Sequence, residues 1–123
     1  MLYYETAEGK CQIQNFINSR KEREQAKIFS WVSLLEQHGP TLPRPYADLL
    51  TEGIHELRIT LSGEHLRILY FFCFKDIIVL THAFIKHTSE VPHSEIKKAK
   101  AYRDDFLSRY DEKKLKEVIN EKF

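Results

Sequence analysis

The chain has 123 residues, 42% of them hydrophobic and 12% aromatic, enough for one domain with a core that needs no disulfide staples. Nineteen Lys and Arg against 18 Asp and Glu leave a formal net charge of +1, which excludes a grossly basic polyanion binder. Any contact with nucleic acid has to come from local clustering of charge.

Met1 to Thr6 reads as a short edge strand that ends at Glu8-Gly9. From Lys10 the pattern turns helical, with Ile13, Phe16 and Ile17 at i, i+3 and i+4 on one face. Asn18-Ser19 interrupts it, and Ser19 with Glu22 offers an S-x-x-E capping box for a second helix. That helix carries Ile28, Trp31, Val32, Leu34 and Leu35 and is stopped by Gly39-Pro40. Trp31 and Phe29 are expected as core or helix-pair contacts rather than a base-stacking platform, and the charged positions from Lys21 to Lys27 as a solvated face. The stretch GPTLPRP, from Gly39 to Pro45, holds three of the four prolines and reads as a stiff connection, with Tyr46, Leu49 and Leu50 packing back on the fold.

Gly53 to Lys86 is rich in β-branched and aromatic residues and contains two turn signals, Ser62-Gly63 and Lys75-Asp76, so it reads as a three-strand antiparallel meander. Two-residue turns there put Arg58 opposite Arg67, Thr60 opposite His65, Arg67 opposite Phe84, Leu69 opposite His82 and His65 opposite Lys86. The further partners are Phe71 with Leu80 and Cys73 with Ile78. One face then carries Leu57, Ile59, Leu66, Ile68, Tyr70, Phe72, Val79, Thr81, Ala83 and Ile85, a core surface waiting for helices. The other carries Glu56, Arg58, Thr60, His65, Arg67, His82, Phe84 and Lys86. Pro92 opens a third helix over Ser94 to Tyr110, and residues 111–123, with Leu115, Val118, Ile119 and Phe123 at helical spacing, read as a terminal helix or a tail ordered by a partner. The expected fold is α+β: a helix pair packed on a twisted antiparallel sheet of three meander strands plus a short N-terminal strand, with a C-terminal helix, all one domain over 1–123.

Cys11 and Cys73 form no CxxC pair and have no zinc spacing, so a reduced compartment is expected, with Cys73 as a small buried hydrophobe. The N-terminus lacks a basic, apolar leader and no segment is long enough to span a membrane, so a cytoplasmic protein with no membrane partner is expected. There is no Gly-rich phosphate loop, no G-x-S-x-G and no H-E-x-x-H, and neither a cofactor nor a metal is expected.

Arg58 opposite Arg67 demands compensation, because like charges across a ladder repel. In one reading Glu56 neutralises them and the face is merely solvated. In the other the guanidinium forks and an ammonium converge on phosphate oxygens. Arg, Lys and His without paired acids suit metal-free phosphoryl chemistry, for which RNA is the natural substrate: its 2′-hydroxyl needs a base, the charged transition state a stabiliser, and the leaving 5′-oxygen an acid. His65, His82, His87 and His93 are the candidates for acid or base, histidine being the residue type whose ordinary range lies near neutral pH.

LLTEGIHELRI, then LRILYFF, then IIVLTHAFIKHT, followed by Pro92 and a helix with EIKKA, resembles the HigB branch of the RelE-type toxin superfamily, including phage-derived HigB-like proteins. The resemblance runs from about the second helix to about Tyr110. It implies a ribosome-dependent mRNA endonuclease of a type II toxin–antitoxin system, neutralised by a helix-turn-helix antitoxin through which alone it reaches operator DNA. Arg58 matches the arginine of the ELR strand, Arg67 that of the central strand and Lys86 the lysine of F-x-K. Members of that branch commonly carry two lysines where this chain has Lys86-His87, so its second basic position is a histidine in place of a fixed charge. The candidate catalytic group is Arg58, Arg67, Lys86, His87 and His65, with the arginines as charge stabilisers and the acid and base unassigned. The alternative is a non-catalytic module of the same fold acting with an antitoxin as co-repressor.

Overall fold

A computed structural model describes residues 1–122, with side chains through Asn120; Phe123 lies outside the described residues. In chain order the elements are β1 (Leu2–Tyr3), α1 (Gln12–Asn18), α2 (Glu22–His38), a 3-10 turn (Gly39–Thr41), β2 (Ala47–Thr51), β3 (Ile54–Leu61), β4 (Glu64–Cys73), β5 (Ile77–Lys86), α3 (His93–Arg109) and α4 (Glu112–Lys122). The strands form one mixed sheet in the order β1-β5-β4-β3-β2, antiparallel except for β1, which runs parallel to β5. The α+β expectation holds, enlarged by one strand.

α1 and α2 cover one face of the sheet. Ile13 and Ile17, one turn apart on α1, and Ile28, Val32 and Leu35 on α2 are buried against Leu57, Ile59, Leu66, Ile68 and Tyr70. Each such side chain contributes roughly 1.5–3 kcal/mol of burial. Gln12 pins α1 to the sheet: its Nε2 donates to the Ala83 carbonyl at 2.6 Å and its Oε1 accepts from the Ala83 N–H at 2.7 Å. α3 and α4 lie on the opposite face, where Ala99, Phe106 and Leu115 bury Leu69, Phe71 and Val79. Tyr4 ties β1 to α3, stacked on Tyr102 with centroids 4.5 Å apart and donating to Asp105 Oδ2 at 2.6 Å.

Five local expectations need correction. Ser19 does not cap α2: its hydroxyl donates to the Phe16 carbonyl and closes α1, while Lys21 stands at the N-cap with no side-chain cap bond. Phe29 is 44% exposed, on the flank of α2 rather than in its buried stripe. Residues 47–51 are a strand rather than packed-back loop, joined to β3 by Glu52-Gly53, both at positive φ (46° and 81°). Cys73 is half-buried rather than buried; burial pushes its thiol up to about 11. The fifth concerns the β4–β5 connection. It is a three-residue loop, Phe74 to Asp76, with Phe74 and Lys75 at φ 48° and 72°, so Cys73 pairs with Ile77 and Phe71 with Val79.

The register nonetheless matches expectation from His65–Lys86 to Leu69–His82, because a bulge at Thr81 absorbs the extra residue: Tyr70 pairs with Leu80. Beyond the bulge every β5 side chain changes face. Val79 therefore packs under α3, and Ile78 and Leu80 join the α1/α2 core instead. Among the described residues no helix is long and apolar enough to cross a membrane.

Candidate functional site

The second face is only partly covered by α3 and α4. Three cross-strand rows cross its centre and open end: Glu56–Leu69–His82, Arg58–Arg67–Phe84 and Thr60–His65–Lys86. Successive rows are about 7 Å apart, two strand residues each. Arg58, Arg67, His65 and Lys86 thus share one face in two adjacent rows.

Arg58 and Arg67 are held differently. Arg58 Nε donates to Glu56 Oε1 at 2.6 Å, a short charge-assisted bond, and its Nη2 lies 3.5 Å from Asp48 Oδ2. Asp48 in turn pairs with Arg44 Nη2 at 2.9 Å. Arg67 is buried; its Nη1 donates to the carbonyl of Leu66 at 3.0 Å, and its Nε lies 3.5 Å from Glu56 Oε2. Burial pulls the Arg67 guanidinium below its ordinary pKa, Glu56 opposes this and Arg58 adds to it. A guanidinium stays charged regardless, so the outcome is a desolvated fixed cation. Glu56 answers the like-charge problem of the arginine pair, and Asp48 and Arg44 extend the answer across β2 into an alternating run of charge.

His65 is exposed, directly opposite Lys86, whose Nζ donates to the Ser89 carbonyl at 3.1 Å. His87 is also exposed, one residue past the end of β5 in the loop before α3. The fold therefore groups Arg58, Arg67, His65 and Lys86 and leaves His87 beside them, off the strand.

His82, expected on the basic face as an acid–base candidate, is 1% exposed. Its ring packs on Phe84 and edge-on to Tyr102, with Nδ1 3.0 Å from Thr81 Oγ1 and Nε2 3.1 Å from Glu95 Oε2. Burial lowers its pKa to about 4, against the pull of Glu95. The Thr81 hydroxyl donates to the Leu69 carbonyl at 3.1 Å, which leaves its oxygen as an acceptor facing Nδ1, while Nε2 faces the Glu95 carboxylate, so both ring nitrogens are engaged. His82 is a fastening between β5 and α3 and faces no substrate.

Asp48, Arg44 and Glu95 were not anticipated. The first two went unseen with β2, although Arg44 and Asp48 sit four apart and Asp48 alternates with Ala47 and Leu49. Glu95 carried no signal beyond its place in the first turn of a helix. Among the described residues no group of three or more His, Cys, Asp or Glu stands close enough to hold a metal ion.

The family model described as Phage derived protein Gp49-like (DUF891) matches residues 15–104. The chain belongs to this Gp49-like family. The match takes in strands β2 to β5, α2 and most of α3, hence every residue of the arginine face, and leaves β1 and α4 outside it. Gp49-like proteins are phage-derived and related to the RelE-type toxins of toxin–antitoxin systems. No curated protein sequence matches the chain significantly.

Proposed function

We propose that this Gp49-like protein is the toxin of a type II toxin–antitoxin pair, of the HigB kind, and an endoribonuclease that cuts mRNA on the ribosome. Its partner is a helix-turn-helix antitoxin, through which it reaches operator DNA. The observation that carries the reading is that Arg58, Arg67, His65 and Lys86 share two adjacent rows of the second sheet face, with His65 exposed, Arg58 and Lys86 half-buried and Arg67 buried beside them.

The chemistry is metal-independent. A base removes the proton of a ribose 2′-hydroxyl, the oxygen attacks the adjacent phosphorus, a 2′,3′-cyclic phosphate forms, and the 5′-oxygen leaves with a proton from an acid. Arg58 and Arg67 neutralise the charge that builds on the phosphoryl oxygens. Acid and base are drawn from His65, Lys86 and His87; the direct pairing of His65 with Lys86 across β4 and β5 favours those two over His87.

The test is induction without antitoxin, with transcript ends mapped. New ends within translated mRNA and growth arrest are expected for the wild type, and Lys86→Ala or Arg67→Ala relieves both. Loss of the Arg67 charge stabiliser lowers cleavage by roughly 10²–10³-fold. Undiminished arrest in both folded variants would rule out this site. One observation favours a second reading: Arg58 is engaged by Glu56 and Asp48, as a charge-balanced structural surface requires. In that reading the protein binds antitoxin as a co-repressor, and induction produces no new transcript ends.

A further inference from the structure

Glu56 serves Arg58 and Arg67 unequally. Its Oε1 accepts the 2.6 Å bond from Arg58 Nε, and Arg58 is steadied again by Asp48 at 3.5 Å. Its Oε2 lies 3.5 Å from Arg67 Nε, and both atoms are buried without a hydrogen-bond partner. A carboxylate lone pair and a guanidinium N–H left unbonded in the interior are costly to each other's neighbourhood, and such groups in folded proteins usually find partners. Arg67 is more than nine-tenths buried, its one side-chain hydrogen bond formed here goes to the Leu66 carbonyl, and donors on its planar fork are left over.

Resting on the RNA-cleavage reading above, we propose that Glu56 is a positioning residue that gives the two arginines different roles: Arg58 is clamped, and Arg67 is left free to close on a phosphoryl oxyanion. When Arg67 turns its outer N–H groups to the oxyanion, its Nε approaches Oε2 and the two unsatisfied atoms pair. Glu56 therefore acts twice. Its charge offsets the repulsion between the arginines in the free protein, and its geometry directs the one that moves. The negative charge also lies beside the anion, so it weakens ground-state binding while it improves alignment.

That opposition distinguishes positioning from a purely structural salt bridge. Glu56→Gln keeps the shape, removes the charge and sets an amide NH2 or a neutral oxygen against each arginine. With inorganic phosphate as probe and the Nε–H signals of Arg58 and Arg67 followed by 1H–15N NMR, phosphate is expected to shift Arg67 more than Arg58 in the wild type. In Glu56→Gln the phosphate affinity rises by roughly three- to tenfold, the scale of one nearby unit charge in a wet site. On programmed ribosomes the same variant loses kcat by roughly 10²-fold, as a misaligned group does, with KM unchanged or lower. Glu56→Asp, which restores the charge, returns phosphate affinity toward wild type and recovers part of kcat.

A Glu56→Gln protein that binds phosphate no more tightly, or cleaves at the wild-type rate, overturns the proposal. If that variant does not fold, Asp48→Asn takes its place: it loosens Arg58 alone, so an Arg67 Nε–H signal that moves in the free protein overturns the division of roles. Wild-type protein that cleaves nothing, while phosphate still shifts Arg67 and Glu56→Gln still tightens binding, refutes the nuclease reading and leaves the positioning role standing. Phosphate that shifts neither arginine refutes both.

Discussion

His82 and Arg67 are both cations by type and both buried, yet burial has different consequences for them. The imidazole can give up its proton and does, with a pKa lowered to about 4; the guanidinium cannot and stays charged against Glu56. A linkage follows for His82. In the unfolded chain the ring titrates near its ordinary value of about 6.5, so as the pH falls the unfolded state takes up the proton first. The stability tied to the neutral ring is full above about pH 6.5 and is lost as the pH drops toward about 4. The groups facing the ring set this balance: Glu95 raises the pKa, Lys98 lowers it, and Thr81, Phe84 and Tyr102 close off water. Urea midpoints measured between pH 7 and pH 4 are expected to fall, and His82→Gln is expected to flatten that decline. A decline of the same size in the variant would assign it to another group.

The elements show which signals in a sequence are local. α1, α2 and α3 were legible because their apolar residues recur at helical spacing, and β3 to β5 because β-branched and aromatic residues crowd together. β2 was not, since Ala47 to Thr51 has neither density nor length; its partner strand, not its own composition, makes it a strand. The arginine face was legible because the Ser62-Gly63 turn has the left-handed pair that a two-residue hairpin needs, at φ 48° and 84°, and fixes the β3–β4 register outright. The β4–β5 turn carries no glycine. Two non-glycine residues, Phe74 and Lys75, adopt positive φ, which nothing local announces. The Thr81 bulge then restored the expected register at the open end, so Arg67, His65 and Lys86 fell where alternation put them although the turn was misplaced. Lys75→Gly tests the strain directly. Lys75 is exposed at φ 72°, where glycine has no Cβ conflict, so the substitution is expected to stabilise the fold by about 1 kcal/mol in chemical denaturation. A loss of stability would mean that the gain in unfolded-chain freedom outweighs the relief.

At the scale of the molecule, a net charge of +1 is spread over a sheet with helices on both sides, and among the described residues Arg58, Arg67, His65 and Lys86 gather on one stretch of the second face. Long-range attraction to RNA is therefore weak, and what binding exists has to be local. Arg44 and Arg58 are already countered by Asp48 and Glu56, so these side chains draw less on an incoming phosphate than free cations would. On the proposed function Arg58, Arg67 and Lys86 meet about three phosphates, and displacement of counterions from single-stranded RNA is then expected to give a log–log salt slope of roughly −2. The measurement uses RNA with a 2′-O-methyl block, so that cleavage does not distort the binding curve. Lys86→Ala is expected to reduce the slope by a little under one unit. Glu56→Gln is expected to leave the number of contacts, and so the slope, nearly unchanged while it raises affinity at every salt concentration. A slope several times steeper would mean that RNA lies along a longer basic track than this face provides, and would move the binding surface elsewhere on the protein.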